Sequence, residues 1–123
     1  MKNGIKLTLA IIGVFLIICE FFYGIPFLGG SVIVSFGWQP LLFNAFLYLI
    51  LTIILLVDTQ NTIKPMVIIP ILGIIGSFVA FIPFVGMIIH WALFVLMIFF
   101  VFIVLAAPTY IPNKNARVIY TQY

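Results

Sequence analysis

Four apolar stretches separated by short breaks constrain this chain more than any other feature. They cover residues 5–24, 40–57, 66–84 and 87–107. Each is close to the ~20 residues that an α-helix needs to cross the hydrocarbon core of a bilayer. Only 6% of the residues are charged, whereas about 25% are charged in a soluble domain. The pattern predicts an all-α integral membrane protein, an antiparallel bundle of four transmembrane helices.

The breaks indicate a single membrane domain, residues 1–108, followed by a polar and aromatic tail, residues 109–123. Pro40 and Pro65 suit the first turns of the second and third helices, where a missing N–H costs nothing. Pro70 lies inside the third apolar stretch, and an interior proline predicts a kink there. For the tail we expect a cytoplasmic segment that is disordered or lies on the membrane surface, and a site for docking a partner is the alternative.

The basic residues predict the orientation. Lys2 and Lys6 precede the first helix, Lys64 lies between the second and third, and Lys114 and Arg117 follow the fourth. Lysine and arginine concentrate in cytoplasmic loops, so we expect both termini in the cytoplasm and a multi-pass protein of the cell membrane. The run after Lys6 lacks a small-residue cleavage site, so we expect the first helix to be retained.

The connection at residues 25–39 is unusual because it is uncharged and largely apolar. A loop exposed to water would have a different composition. We expect this segment to lie along the outer interface or to fold back over the bundle, with Trp38 at headgroup depth. The alternative is that the second helix begins early, near Ser31.

Two short sequences recur at matching points of the two halves. Ile-Pro-Phe-Leu-Gly at residues 25–29 recurs as Ile-Pro-Phe-Val-Gly at residues 82–86, and Ile-Lys at residues 5–6 recurs at residues 63–64. An internal duplication would relate the halves by an axis along the membrane normal. Chance matching in a sequence rich in isoleucine and phenylalanine is the other interpretation.

Ionisable residues inside a membrane span are costly and are therefore candidates for a site. Glu20 and His90 are the two such residues, and residue counting places both in the outer half of the bundle. Asn44 lies at the same level and Ser77 is somewhat deeper, so these four residues form a candidate polar cluster. The cluster either holds the helices together through hydrogen bonds or binds a ligand, a cation or a proton.

Small residues at a spacing of four favour close packing of membrane helices. Gly73 and Ser77 have this spacing, as do Gly76 and Ala80. Gly13 lies on the side of the first helix that bears Glu20. We expect these small residues at helix contacts.

Several chemistries lack the residues that they need. Glu20 and His90 are too few for a zinc site, and a single histidine cannot provide both axial ligands of a haem. Cys19 is the only cysteine, which excludes a disulfide within the chain. No phosphate-binding loop occurs, and the basic residues are too scattered for nucleic acid. We expect no catalytic site, no metal and no cofactor.

These features favour a small non-enzymatic multi-pass membrane protein that acts as an accessory subunit or regulator of a larger membrane assembly. Its expected partners are the lipid bilayer and other membrane subunits or further copies of the chain. The alternative is a small oligomeric transporter or a conduit for ions or protons that uses Glu20 and His90. A continuous hydrated path would favour transport, and a sealed polar cluster would favour a structural role.

Overall fold

A computed structural model describes residues 1–82, 84–112 and 118–120 of the chain. The helices, with one 3₁₀ turn at Lys64–Val67 before the fourth, are α1 (Asn3–Gly24), α2 (Leu28–Ser35), α3 (Gln39–Val57), α4 (Ile68–Val79) and α5 (Val85–Ala106). Two short strands follow α5, namely β1 (Tyr110–Pro112) and β2 (Val118–Tyr120).

In the described part of the chain, three helices are long and apolar enough to cross a membrane: α1, α3 and α5. With 22, 19 and 22 residues, they measure about 33, 29 and 33 Å at ~1.5 Å per residue. The lengths match a hydrocarbon core of ~30 Å. The predicted character of a helical membrane protein is confirmed at this level.

The third apolar stretch forms a shorter helix than predicted. The expected helix at residues 66–84 is wrong at its far end, because α4 ends at Val79 and residues 80–82 form a turn. Ile82 precedes Pro83 in the sequence, and a residue before proline is disfavoured in the α conformation. The 3₁₀ turn and α4 together cover Lys64–Val79.

The expected kink at Pro70 is replaced by a change of helix type. The chain runs as a 3₁₀ turn up to Val67 and becomes α-helical at Ile68. Pro70 therefore lies in the first turn of α4, where a backbone N–H has no carbonyl partner within the α-helix. Its ring is tolerated at this position because no hydrogen bond of the helix interior is lost.

The segment at residues 25–39 forms the separate helix α2 rather than an early start of α3. Gly37 and Trp38 both adopt positive φ angles, 61° and 62°, and this left-handed backbone ends one helix before the next begins. The indole of Trp38 stacks on the ring of Phe81 at 5.8 Å. The alternative of a single helix from near Ser31 is wrong.

The phenylalanines of the two copies of the Ile-Pro-Phe-x-Gly sequence adopt the same backbone conformation. Phe27 has φ 65° and ψ −48°, and Phe84 has φ 65° and ψ −47°. Each phenylalanine immediately precedes a helix, α2 and α5 respectively. A Cβ on Gly29 would overlap the carbonyl of Tyr23, and a Cβ on Gly86 would lie 2.6 Å from the oxygen of Ala80. Glycine therefore lets each new helix begin directly against the end of the preceding one.

One end of the bundle, which we call the terminal end, is held by hydrogen bonds to the residues that directly follow α5. Nζ of Lys6 donates to the carbonyl of Ala107 at 2.7 Å and to Oγ1 of Thr109 at 3.3 Å. A cation at the C-terminal carbonyls of a helix is a favourable cap. The Met1 amino group donates to the Pro108 carbonyl, and burial lowers the pKa of that amino group.

The opposite end, which we call the distal end, joins the same two helices. Nε1 of Trp91 in α5 donates to the carbonyl of Gly24, the last residue of α1, at 2.9 Å. Between the two ends, α1 packs most extensively against α5, and α3 packs most extensively against α4. The core between them is apolar and includes Leu9, Leu16, Leu51, Leu55, Met97 and Phe100.

The tail contains a short antiparallel ladder, so the all-α prediction is incomplete there. In this ladder Tyr110 lies opposite Tyr120, and Pro112 lies opposite Val118. The strands consist mainly of aromatic and β-branched residues, which are the types enriched in strands. Lys114 and Arg117, on which part of the orientation argument rests, lie outside the described residues.

The small residues of the helices lie at close contacts. A Cβ on Gly13 would lie 2.5 Å from Cγ2 of Val101 in α5. A Cβ on Gly73 would overlap the ring of Tyr48 in α3. Both glycines therefore allow helix approaches that a larger residue would prevent.

The other three small residues are also at contacts. A Cβ on Gly76 would lie 3.1 Å from Ile89 and from Leu93, both in α5. Ser77 is buried in α4. Ala80, just after α4, is buried in a small cluster with Ile33 and Leu41.

We predict that Gly73→Ala lowers the free energy of unfolding, because the added methyl group forces the buried Tyr48 ring away from α4. Overpacking of this kind costs about 1–3 kcal/mol. The measurement is the thermal unfolding midpoint in detergent. Gly4→Ala is the matched control, since a Cβ at Gly4 meets nothing within 4 Å. Equal midpoints for the two variants would contradict the close approach of α3 and α4.

Candidate functional site

Glu20 lies in α1 with its side chain directed into the bundle, and it is 0% exposed. Seven other residues of α1 face outward as large exposed apolar side chains, among them Ile18 and Phe21 on either side of it. The helical period therefore turns the one acidic residue of this helix away from lipid. Its carboxylate needs hydrogen-bond donors from other helices, because an unpaired buried charge is costly.

Three side chains from two other helices contact this carboxylate. The hydroxyl of Tyr48 donates to Oε1 of Glu20 at 2.8 Å, and Nδ2 of Asn44 donates to the same oxygen at 3.2 Å. Nδ1 of His90 lies 2.5 Å from Oε2. Asn44 and Tyr48 are four residues apart in α3, so one helix face delivers both groups. We call Glu20, Asn44, Tyr48 and His90 the polar cluster.

The polar cluster is almost completely buried. Asn44 and Tyr48 are fully buried like Glu20, and His90 is 3% exposed. In a medium of low polarity, each hydrogen bond to the carboxylate is strengthened and each unpaired polar atom is penalised. The contact with the His90 imidazole adds a hydrogen bond to the carboxylate, which reduces the cost of burying it.

The structure brings together three of the four residues of the predicted cluster, Glu20, Asn44 and His90. Ser77 is buried as well, but its hydroxyl donates to the carbonyl of Gly73 at 2.8 Å, within its own helix. Serine in a helix interior commonly bonds back to the carbonyl four residues earlier. The expectation that Ser77 belongs to the polar cluster is wrong for this reason.

Tyr48 is the member of the hydrogen-bonding set that was not among the predicted site residues. The signal for it is its position four residues after Asn44 in an otherwise apolar helix. Thr52 continues the same face by another four residues, and its hydroxyl donates to the carbonyl of Tyr48. Of the polar residues on this face of α3, Asn44 and Tyr48 both donate a hydrogen bond to Glu20.

A cavity of about 640 Å³ opens beside the polar cluster at the distal end. It lies between the two Ile-Pro-Phe turns and reaches His90 at its inner wall. We call it the distal cavity, and its lining includes Tyr23, Phe27, Gly30, Trp38, Phe84 and His90. Sequence reasoning did not find it, although the repeated Ile-Pro-Phe-x-Gly sequence marks both sides of it.

His90 connects the distal cavity with the polar cluster. Its Nδ1 faces Glu20, whereas its Nε2 is a buried atom without a hydrogen-bond partner among the described residues. The ring of Tyr23, which also lines the cavity, lies 5.5 Å from the imidazole. A buried polar atom without a partner is unusual in a folded protein and needs an explanation.

Within residues 1–82, 84–112 and 118–120, no group of three or more His, Cys, Asp or Glu side chains comes together. The polar cluster supplies one carboxylate and one imidazole, and its other two members are an amide and a phenol. It can share a proton or accept a hydrogen bond from a small molecule. Comparisons of the chain with protein-family models, with curated proteins and with solved structures find no match.

We predict that Tyr48→Phe lowers the unfolding midpoint in detergent. The change removes one of the donors to a buried carboxylate, a loss of about 1–3 kcal/mol. Tyr23→Phe is the matched control, because the same oxygen is deleted from a half-buried residue outside the hydrogen bonds to Glu20. A midpoint for Tyr48→Phe no lower than that for Tyr23→Phe would contradict a structural role for the hydrogen bond.

Proposed function

We propose that the chain is a four-span antiparallel bundle in the cell membrane, with both termini in the cytoplasm. Lys6 lies at the terminal end, and Lys64 begins the 3₁₀ turn that follows the α3–α4 connection at the same end. This common location of basic residues supports a cytoplasmic terminal end. The 3₁₀ turn lengthens the third span to about 26 Å, at ~2.0 Å per 3₁₀ residue and ~1.5 Å per α residue.

In this membrane, the protein acts by association, as a non-enzymatic accessory subunit or regulator of a larger assembly. The observation that carries this proposal is the buried polar cluster. Its carboxylate is held by side chains from two other helices, and all four members are at least 97% buried. Such a cluster supports a rigid helical scaffold rather than a moving ion.

The terminal half of the bundle supports the same proposal. Between the polar cluster and the terminal end, the core is filled by buried apolar side chains from α1, α3 and α5, including Leu9, Leu55 and Val104. A conduit for ions or protons would need polar side chains or water along this path. This packing favours association over the alternative of a transporter.

The outer face of α5 supplies the surface for association. It carries large exposed apolar side chains along most of its length, such as Val95, Phe99 and Phe102. A smooth apolar surface of this kind suits either lipid or the helix of another membrane subunit. We assign the contact with a partner subunit to this face of α5, because the opposite face already packs against α1.

We predict that cysteine labelling in intact cells will show both termini on the cytoplasmic side. Single cysteines are introduced into a Cys19→Ala background, which has no other thiol. Cysteines at Asn3 and Thr62, both exposed, should resist a thiol reagent that does not cross membranes. A cysteine at the exposed Ser35 should react, because α2 lies at the distal end. Labelling at Thr62 from outside would overturn the four-span topology. A permeant reagent applied to the same variants controls for accessibility.

We predict that purification from the native membrane in a mild detergent yields a particle larger than the chain, with another membrane polypeptide in fixed ratio. Glu20→Gln should retain that partner, because the amide keeps an acceptor and adds a donor within the polar cluster. The native chain and Glu20→Gln, each reconstituted without the partner in liposomes, test the alternative. A proton or cation flux that the isolated chain supports and Glu20→Gln abolishes would overturn the accessory role.

A further inference from the structure

The distal cavity has the size and lining of a site for a small apolar molecule. Its volume of about 640 Å³ lies within the ~300–1,000 Å³ of small-molecule pockets. Most of its wall is aromatic or aliphatic, with Phe27, Trp38 and Phe84 among the contributors. Sites of this kind combine an apolar body with few polar groups that fix the orientation of the ligand.

The polar residues that line the distal cavity include Tyr23, Ser31 and His90, and the imidazole of His90 is the one with an unpaired buried atom. It is 3% exposed, it lines the cavity, and its Nε2 has no partner within the described chain. Its Nδ1 is held by Glu20, so the ring cannot turn to give Nε2 another neighbour without breaking that contact. A ligand atom that hydrogen-bonds to Nε2 would remove the penalty of an unpaired buried polar atom.

The rim of the distal cavity carries the two strained turns. Phe27 and Phe84 both have φ near 65°, and their side chains are 90% and 81% exposed. Backbone in this region costs about 1–3 kcal/mol for a residue other than glycine and occurs preferentially at ligand sites. Both phenylalanines line the cavity.

The charge of the wall limits the ligand. The described residues that line the distal cavity include no lysine or arginine, so an anionic head group would lack the cation that normally holds it. A hydroxyl group can donate or accept a hydrogen bond. It therefore satisfies Nε2 of His90 whichever of Glu20 and His90 holds the shared proton.

We propose that the distal cavity binds a neutral amphiphile, a hydrocarbon chain that ends in a hydroxyl group, with that hydroxyl on Nε2 of His90. The hydrocarbon chain lies along the aromatic wall and leaves between the rings of Phe27 and Phe84. Long-chain alcohols and monoacylglycerols share this chemistry. The proposal concerns a ligand of the chain itself and does not require a protein partner.

The experiment measures quenching of Trp38 fluorescence by brominated probes in detergent micelles. The first probe is a long-chain alcohol with bromine atoms on its chain, and the second is the matching brominated alkane. Saturable quenching by the alcohol should occur at about one tenth of the concentration needed for the alkane, as expected for one buried hydrogen bond. Trp38→Phe should lose this quenching, because the second tryptophan, Trp91, does not line the cavity.

Two variants test the site without relying on one substitution. Gly30→Leu should weaken binding of both probes at least tenfold by filling the cavity, since a Cβ at Gly30 meets nothing within 4 Å. Gly4→Leu makes the same change at the terminal end, also in open space, and should leave binding unchanged. His90→Asn keeps an amide N–H for Glu20 and deletes Nε2, so it should abolish the preference for the alcohol.

Three results would overturn the proposal. The first is equal binding of alcohol and alkane to the native chain, which would show that the hydroxyl group does not hydrogen-bond to His90. The second is unchanged binding in Gly30→Leu, which would place the probe outside the distal cavity. The third is preferred binding of the matching fatty acid, tested under the same conditions at a pH where it is ionised, which would show an anionic ligand instead.

Discussion

The burial of a single carboxylate is the constraint on which the rest of this structure depends. Glu20 can remain at membrane depth because α3 contributes Asn44 and Tyr48 and α5 contributes His90 to its two oxygens. These contacts fix the rotation and the axial position of three helices at once. The ring of Tyr48 also packs closely against α4 at Gly73, which restricts its position. A substitution at Asn44, Tyr48 or His90 therefore acts directly on the carboxylate, and one at Gly73 acts on it through Tyr48.

Residue counting and helical periodicity predicted much of this arrangement. Glu20 and His90 were placed at similar depth from two separate sets of basic residues, and the structure brings them within hydrogen-bond distance. The small residues Gly13, Gly73 and Gly76 were expected at helix contacts, where the structure places them. Periodicity succeeds here because a polar residue that faces lipid is very costly. The polar face of each helix must therefore point into the bundle.

The parts that sequence reasoning missed depend on local backbone geometry and on competition for hydrogen bonds. Ser77 bonds within its own helix because a serine hydroxyl can choose between a distant partner and a nearby carbonyl. The helix α2 and the break before α3 depend on positive φ angles at Gly37 and Trp38, and tryptophan gives no signal for that conformation. The repeated Ile-Pro-Phe-x-Gly sequence is visible as a pattern, but the residue type gives no signal for the positive φ angles of Phe27 and Phe84.

The length of α4 has a consequence for the surrounding lipid. In the proposed topology the third span is about 26 Å long, against about 33 Å for α1 and α5. A bilayer that fits the longer helices is therefore too thick on the side of α4, a case of hydrophobic mismatch. The lipid must thin locally, or the turn after Val79 must sink below the headgroups, at fractions of a kcal/mol per Å. In the proposed topology this mismatch is confined to the side of α4 and is smaller in a membrane with a thinner hydrocarbon core.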